Sequence, residues 1–163
     1  MSFTKTNNRK QSNYNQTIRR LKAILEGEDD WIAAMATVCC ELHHAFEHFH
    51  WTGFYRAVSG DELVIGPYQG HHGCLRIPFE QGVCGAAART KQTLLVPDVQ
   101  AFPGHIACST TTRSELVVPV IRPDGSLLAV LDIDSDQPAA FDQIDQKALE
   151  ALCRTLGVQF ANH

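Results

Sequence analysis

An α+β fold is what the sequence predicts, with a mainly antiparallel central sheet of about six strands flanked by N- and C-terminal helices. Three observations point there. Apolar residues recur at helical spacing near the two ends of the chain, and between them apolar runs of strand length follow one another across turns. The chain has 163 residues, 44% of them apolar and 20% charged, which is the size and composition of one packed domain. Terminal helices would cover one face of such a sheet and connections would top the other, a construction that offers a pocket.

The first helix is expected over 14–25, where Ile18, Leu21 and Leu25 are spaced by three and four and Gly27 follows as a stop. Asp29 or Asp30 can cap a second, whose apolar stripe reads Ile32, Met35, Ala36, Cys39, Leu42, then Ala45 or Phe46, and Phe49. At Trp51 the period changes. Strands are expected over 51–58, 62–69 and 75–79, the first turn being Ser59-Gly60-Asp61. Gly82-Val83-Cys84-Gly85, followed by Ala86 to Ala88 and Arg89, reads as a glycine-rich turn feeding a short helix, with a strand at 93–96. Residues 97–113 show no sustained period, and loops of this length inside compact domains are usually functional or disordered. Runs 115–121 and 127–133 form a hairpin around Arg122-Pro123-Asp124-Gly125, their nearly continuous apolar content implying cover on both faces. Asp142 can cap a closing helix whose buried face is Ile144, Ala148, Leu149, Leu152, Leu156 and Phe160.

Charge is unevenly placed. Residues 1–25 hold six Lys/Arg and no acid, so the rest of the chain carries 8 basic against 18 acidic groups, a net of −10. An acidic body lacks the clustered basic face that nucleic-acid binding needs. Residues 1–13 read as a basic, flexible arm and 14–163 as the single domain. No apolar run approaches the roughly 18 residues of a bilayer span, and the start lacks the apolar stretch of a secretory signal. The expectation is a cytoplasmic protein without membrane contact, whose six cysteines are reduced thiols. No C-x-x-C pair is present.

His44, Glu47 and His48 match H-x-x-E-H, two histidines one helical turn apart with a glutamate base. Histidine is so frequent across residues 41–50 that a solvated helix face accounts better for the match. His71, His72 and Cys74, with His105 and Cys108, offer metal-ligand types, yet from two separate loops and at no standard zinc spacing, so no metal is assigned. Cys39, Cys40 and Cys153 fall on or beside apolar helix faces and read as inert thiols. Cys74, Cys84 and Cys108 sit in Gly- or His-containing turns, where a thiol can be exposed and its thiolate stabilised. Cys84 precedes a short helix whose positive end could lower its pKa, which leaves Cys84 and Cys108 comparable as nucleophiles. In Val130-Leu131-Asp132-Ile133-Asp134-Ser135 two carboxylates alternate with apolar residues at the end of a buried strand and so share one face. Buried carboxylates are costly unless partnered, which suggests a cationic or polar ligand, and Glu115 adds a third acid at the same mouth.

Taken in order, several motifs resemble one family. They are W-T-G-F-Y (51–55), G-P-Y-Q-G (66–70), G-V-C-G (82–85), F-P-G-H-I-A-C (102–108), R-S-E-L-V-V-P (113–119) and V-L-D-I-D-S (130–135). Together they closely resemble the free methionine-(R)-sulfoxide reductases, built on a single GAF domain, and the likeness runs from about Leu21 to the last helix. The resemblance implies a GAF-like fold, Cys108 as nucleophile, Cys74 as resolving thiol, and Cys84 as a further participant in disulfide exchange. It implies a substrate pocket of Trp51, Tyr55, Glu115, Asp132 and Asp134. One departure is visible: family members often carry Asp after the nucleophile, whereas here Ser109 follows and Thr110 to Thr112 come next. Losing an adjacent negative charge favours the thiolate.

The activity implied is reduction of free L-methionine (R)-S-oxide through a Cys108 sulfenic acid and an intramolecular disulfide. No cofactor is implied, only a thioredoxin-like thiol reductant, and a homodimer is left open. The rivals are a non-catalytic GAF module that binds a small ligand or senses redox state, and a metal-binding switch built on the His/Cys loops.

Overall fold

The computed structural model describes residues 2–106 and 108–163, with side chains from residue 7 onward. Two helices, α1 (Ser2–Ile24) and α2 (Trp31–Ala45), precede the strands β1 (Trp51–Val58), β2 (Glu62–Gln69) and β3 (Arg76–Pro78). Helix α3 (Gly82–Thr90), strand β4 (Leu94–Val96) and a 3-10 turn (Val99–Ala101) lead to β5 (Ser114–Ile121), β6 (Leu127–Ser135) and α4 (Gln143–Gln159). The strands form one sheet in the order β3-β2-β1-β6-β5-β4, and every neighbouring pair is antiparallel.

Alternation along the central strands divides the apolar residues between two cores. Phe54, Leu116, Val118, Val120, Leu131 and Ile133 face α1, α2 and α4, where they meet Tyr14, Leu21, Met35, Leu42, Leu149, Leu152 and Phe160 in the larger core. Tyr55, Val117 and Val130 face the other way, toward Val83, Cys84, Ala87 and Ala88 of α3. Because β1, β5 and β6 are covered on both sides, their sequences run nearly without polar interruption. Their three acids, Glu115, Asp132 and Asp134, all point to the α3 side.

Helix starts follow the expected chemistry. Asp30 caps α2 by accepting from the Ala33 N–H at 2.9 Å. Asp142 caps α4 by accepting from the Ile144 N–H at 2.7 Å, and Asp145 accepts from the Asp142 N–H at 2.7 Å to complete a capping box. The stripe on α2 differs from the expected one: Trp31, Ala34, Met35, Val38, Cys39 and Leu42 are buried, while Ile32 is 54% exposed. The helix opens on Trp31, and sinking that indole against Phe54 and Phe160 rotates the buried face by one residue. Phe46 and Phe49 are buried as expected, though in the turn beyond the helix end.

α1 begins at Ser2 rather than at Tyr14, so the stretch read as an arm is helical. Its residues before Tyr14 are almost all polar and carry no apolar period to mark a helix. They are held by charge instead: Lys10 pairs with Asp142 at 2.9 Å and also with Asp145, a fully buried carboxylate that accepts from the Tyr14 hydroxyl at 2.7 Å. Lys10→Met strips Asp145 of its cationic partner while preserving side-chain length. It is expected to lower unfolding free energy by about 1–3 kcal/mol, the cost of an under-compensated buried charge. Urea denaturation that leaves the midpoint unchanged would show that the clasp contributes nothing.

Candidate active site

β1, β6 and β5 lie side by side, and their register assembles the site. Trp51 pairs with Asp134 and Gly53 with Asp132. Glu115 pairs with Asp134 and Val117 with Asp132. Trp51, Asp134 and Glu115 therefore form one cross-strand row on the α3 face, with Asp132 in the next row and Tyr55 beyond it. The indole of Trp51 lies nearly parallel to Tyr68 and Tyr55, with centroids 5.4 and 5.8 Å away, which makes an aromatic floor. Gly53 permits this, because a Cβ there would run into the Trp51 ring.

Two loops close over the row. The β2–β3 link is held by the Trp51 indole N–H, which donates to His71 O at 2.7 Å. It crosses the floor at Gly73, where an added Cβ would stand 2.9 Å from the Tyr55 hydroxyl. Cys74 follows on that link. From the other side come residues 97–106 and 108–113, tied to the start of α3 by the Gly82 N–H, which donates to Gly104 O at 3.0 Å. Gly82 adopts φ +68°, a conformation that favours glycine. Cys74 and Cys108 meet at the mouth and form a disulfide with Cα atoms 5.4 Å apart. The partly open cavity beneath them measures about 50 Å³.

Of the eight residues expected at the site, Trp51, Tyr55, Cys84, Cys108, Glu115, Asp132 and Asp134 line this one cavity, and Cys74 reaches it through its bond to Cys108. His72, Gly73, Ile106, His105 and Thr112 line it as well. The two histidines carried a sequence signal, but as metal-ligand types; Ile106 and Thr112 carried none beyond lying near Cys108.

Glu115 and Asp132 are buried and Asp134 is half-buried. Asp132 is 5% exposed, and its Oδ1 has no hydrogen-bond partner among the described residues. Burial pushes its carboxyl up to about 6. Burial first, then the facing charges of Asp132 and Asp134, hold Glu115 well above the usual carboxylate range. Asp134 is raised by burial and then by Asp132 and Asp136.

Cys84 is where sequence reasoning fails on electrostatics. Expected just before the helix, it instead lies within the first turn of α3, and its thiol is pushed well up by burial and then by Asp132, Glu115 and Asp134. Desolvation and three acids outweigh the helix end. Its Sγ lies 3.8 Å from Glu115 Oε1, and no disulfide engages it. Cys39 and Cys153 are buried thiols with raised pKa, as inert packing residues should be. Cys40 is exposed.

The H-x-x-E-H match dissolves. α2 ends at Ala45, so His44 and His48 do not share a helix turn; His44 Nδ1 contacts Cys40 O at 2.8 Å, while His48 faces Asp145 at 3.9 Å. Among the described residues no helix is long and apolar enough to cross a membrane.

Comparison with known proteins places this site in context. The GAF domain family matches residues 30–160. The free methionine-R-sulfoxide reductase of Saccharomyces cerevisiae is 39% identical over 147 residues, covering 86% of this chain and 82% of that protein. Its counterpart from Escherichia coli is 37% identical over 138 residues, covering 85% and 82%. The X-ray structure of free methionine-R-sulfoxide reductase from Neisseria meningitidis in complex with its substrate superimposes with a TM-score of 0.89 at 42% identity, covering 93% of this chain and 90% of that one. A protein from the same sequence range, the GAF domain-containing protein A of Dictyostelium discoideum, is 42% identical over 147 residues, covering 90% of this chain and 92% of that protein. With the GAF family matched over residues 30–160 and its identities to named reductases above one in three, the chain belongs to the GAF family and, within it, to the free methionine-R-sulfoxide reductases.

Proposed function

We propose that this protein reduces free L-methionine (R)-S-oxide to methionine at the cavity closed by Cys74 and Cys108. The observation that carries the reading is the disulfide itself, joining two loop thiols at the mouth of a buried acidic pocket with an aromatic floor. A module that only binds a ligand has no use for that bond, whereas it is the oxidised product of the reductase reaction.

The reaction runs in three steps. The Cys108 thiolate attacks the sulfoxide sulfur to form an S–S bond while a carboxylic acid protonates the oxygen; the hydroxyl then passes from the substrate sulfur to the Cys108 sulfur as the S–S and S–O bonds of the adduct break, so that methionine leaves and Cys108 is a sulfenic acid. The Cys74 thiol then attacks that sulfur and releases water as the disulfide forms. A dithiol reductant of the thioredoxin type takes up the disulfide by two exchanges and is itself oxidised. This scheme needs no metal or organic cofactor, and we assign it to the cytoplasm, where such reductants keep thiols reduced. Cys84, with its thiol held protonated, serves as reserve resolving thiol, and a homodimer remains compatible with the scheme.

Roles among the acids follow from their proton affinities. Asp132, with its pKa near 6, is the first to ionise and offers the unpartnered Oδ1 to the substrate ammonium. Glu115 and Asp134, both raised above the usual carboxylate range by burial and by facing acids, are assigned to protonate the substrate oxygen. Trp51 and Tyr55 pack on the S-methyl group, a sulfur–aromatic contact worth about 0.3–1.5 kcal/mol. A peptide-bound methionine lacks the ammonium and leaves Asp132 unmatched.

Cys108→Ser should abolish turnover with any reductant. Cys74→Ser should fail with thioredoxin yet keep at least partial activity with dithiothreitol, which attacks the sulfenic acid directly; equal support by both donors would transfer the resolving role to Cys84.

Asp132→Asn separates stability from activity. An acid whose folded pKa is raised binds its proton more tightly when folded, so its contribution is fully present below the ordinary carboxylate range and falls as pH rises toward about 6. Removing the charge should stabilise the protein by about 1–3 kcal/mol at neutral pH and by nothing in acid. The same variant should lose discrimination between free and N-acetylated methionine sulfoxide, which the parent favours in the free form by at least about tenfold in kcat/KM. Unchanged discrimination would remove Asp132 from ammonium recognition.

Even a benzene-sized guest occupies a cavity of about 150 Å³, so the disulfide form is too small for the substrate. Residues 97–113 must open. Their hydrogen exchange should differ between reduced, substrate-bound and oxidised protein, and identical protection in all three states would favour a preformed site.

A further inference from the structure

Asp132 Oδ1 is a buried carboxylate oxygen with no hydrogen-bond partner among the described residues. Cys84 Sγ, one Glu115 oxygen and one Asp132 oxygen all lie within 4.8 Å of one another, and all three residues are buried. An ion bound at about 2.0–2.3 Å to tetrahedral ligands holds them roughly 3.5 Å apart, so small side-chain shifts close the cluster around a cation. The cavity of about 50 Å³ admits an ion with a water but not the amino acid.

We propose that the disulfide form binds a divalent cation of borderline softness, with Zn²⁺ as the type, through Cys84, Glu115 and Asp132, water completing the shell. The donor set selects the ion: a thiolate disfavours Mg²⁺ and Ca²⁺, and two carboxylates supply the negative charge that a purely thiol site would have to find in further cysteines. Binding displaces any protons held by the three groups into solvent; no electron moves and the Cys74–Cys108 bond stays intact. In this form Cys84 is the one free thiol lining the cavity, since Cys39 and Cys153 belong to the opposite core and Cys40 lies on the outside of α2. The ion takes the place assigned above to the substrate ammonium, so a loaded protein that is then reduced starts its next cycle inhibited.

Cobalt makes the site visible, because a thiolate ligand gives Co²⁺ a charge-transfer absorption in the near ultraviolet. The full chain carrying Cys40→Ser, oxidised and free of added thiols, is titrated with Co²⁺. The expected result is a saturable charge-transfer band at one ion per chain, bleached by Zn²⁺, absent after Cys84→Ala, and shifted to at least about tenfold weaker affinity by Asp132→Asn. The near-isosteric Asn variant guards against the case in which Cys84→Ala fails to fold. Absence of the band, or its survival after Cys84→Ala in a folded protein, would overturn the proposal. The measurement involves no substrate, so its failure leaves the reductase reading standing, and failure of the activity assays leaves the metal site untouched.

Discussion

Three carboxyl groups and a thiol crowded into one small, largely buried space constrain everything else in this molecule. Each acid costs free energy when desolvated, and mutual repulsion raises the cost until protons or a ligand reduce it. The arrangement persists because strand pairing leaves the side chains no alternative. Asp134 is paired with Trp51 on one side and Glu115 on the other, so a one-residue slip of β6 would throw both aspartates into the larger core. That larger core, where α1, α2 and α4 cover the sheet, supplies the apolar burial that offsets the acidic one. The molecule is thus divided by its own sheet: stability on one face, chemistry on the other.

Much of this division can be read from the amino acids. Alternation in 130–135 puts Asp132 and Asp134 on one face whatever the fold, and the covered hairpin of β5 and β6 follows from continuous apolar runs. The caps at Asp30 and Asp142 are local chemistry and sit where local reasoning puts them. What stays hidden is tertiary. The helical extension before Tyr14 depends on Lys10 finding Asp145 from 135 residues away, and no local period encodes that pairing. The buried face of α2 turns on where the Trp31 indole comes to rest.

The misjudged Cys84 teaches the same lesson in electrostatics. A helix start lowers a thiol pKa only where water or a cation shares the task, and here the facing strands deliver three acids instead. Sequence shows the helix end but not the carboxylates across the gap. His72 and His105 illustrate the converse: their residue type was visible, while their place on the cavity wall required two loops to be folded over the same floor.

The hydrogen bond from the Trp51 indole to His71 O ties together two jobs that chemistry would otherwise keep apart. One ring face meets the incoming methyl group in the proposed reaction, and the ring nitrogen anchors the link that carries Cys74. Any redesign of the floor to admit a bulkier sulfoxide would therefore detune thiol recycling at the same stroke. Selectivity and turnover rate share a single mechanical hinge, and evolution along this lineage can alter one only by renegotiating the other.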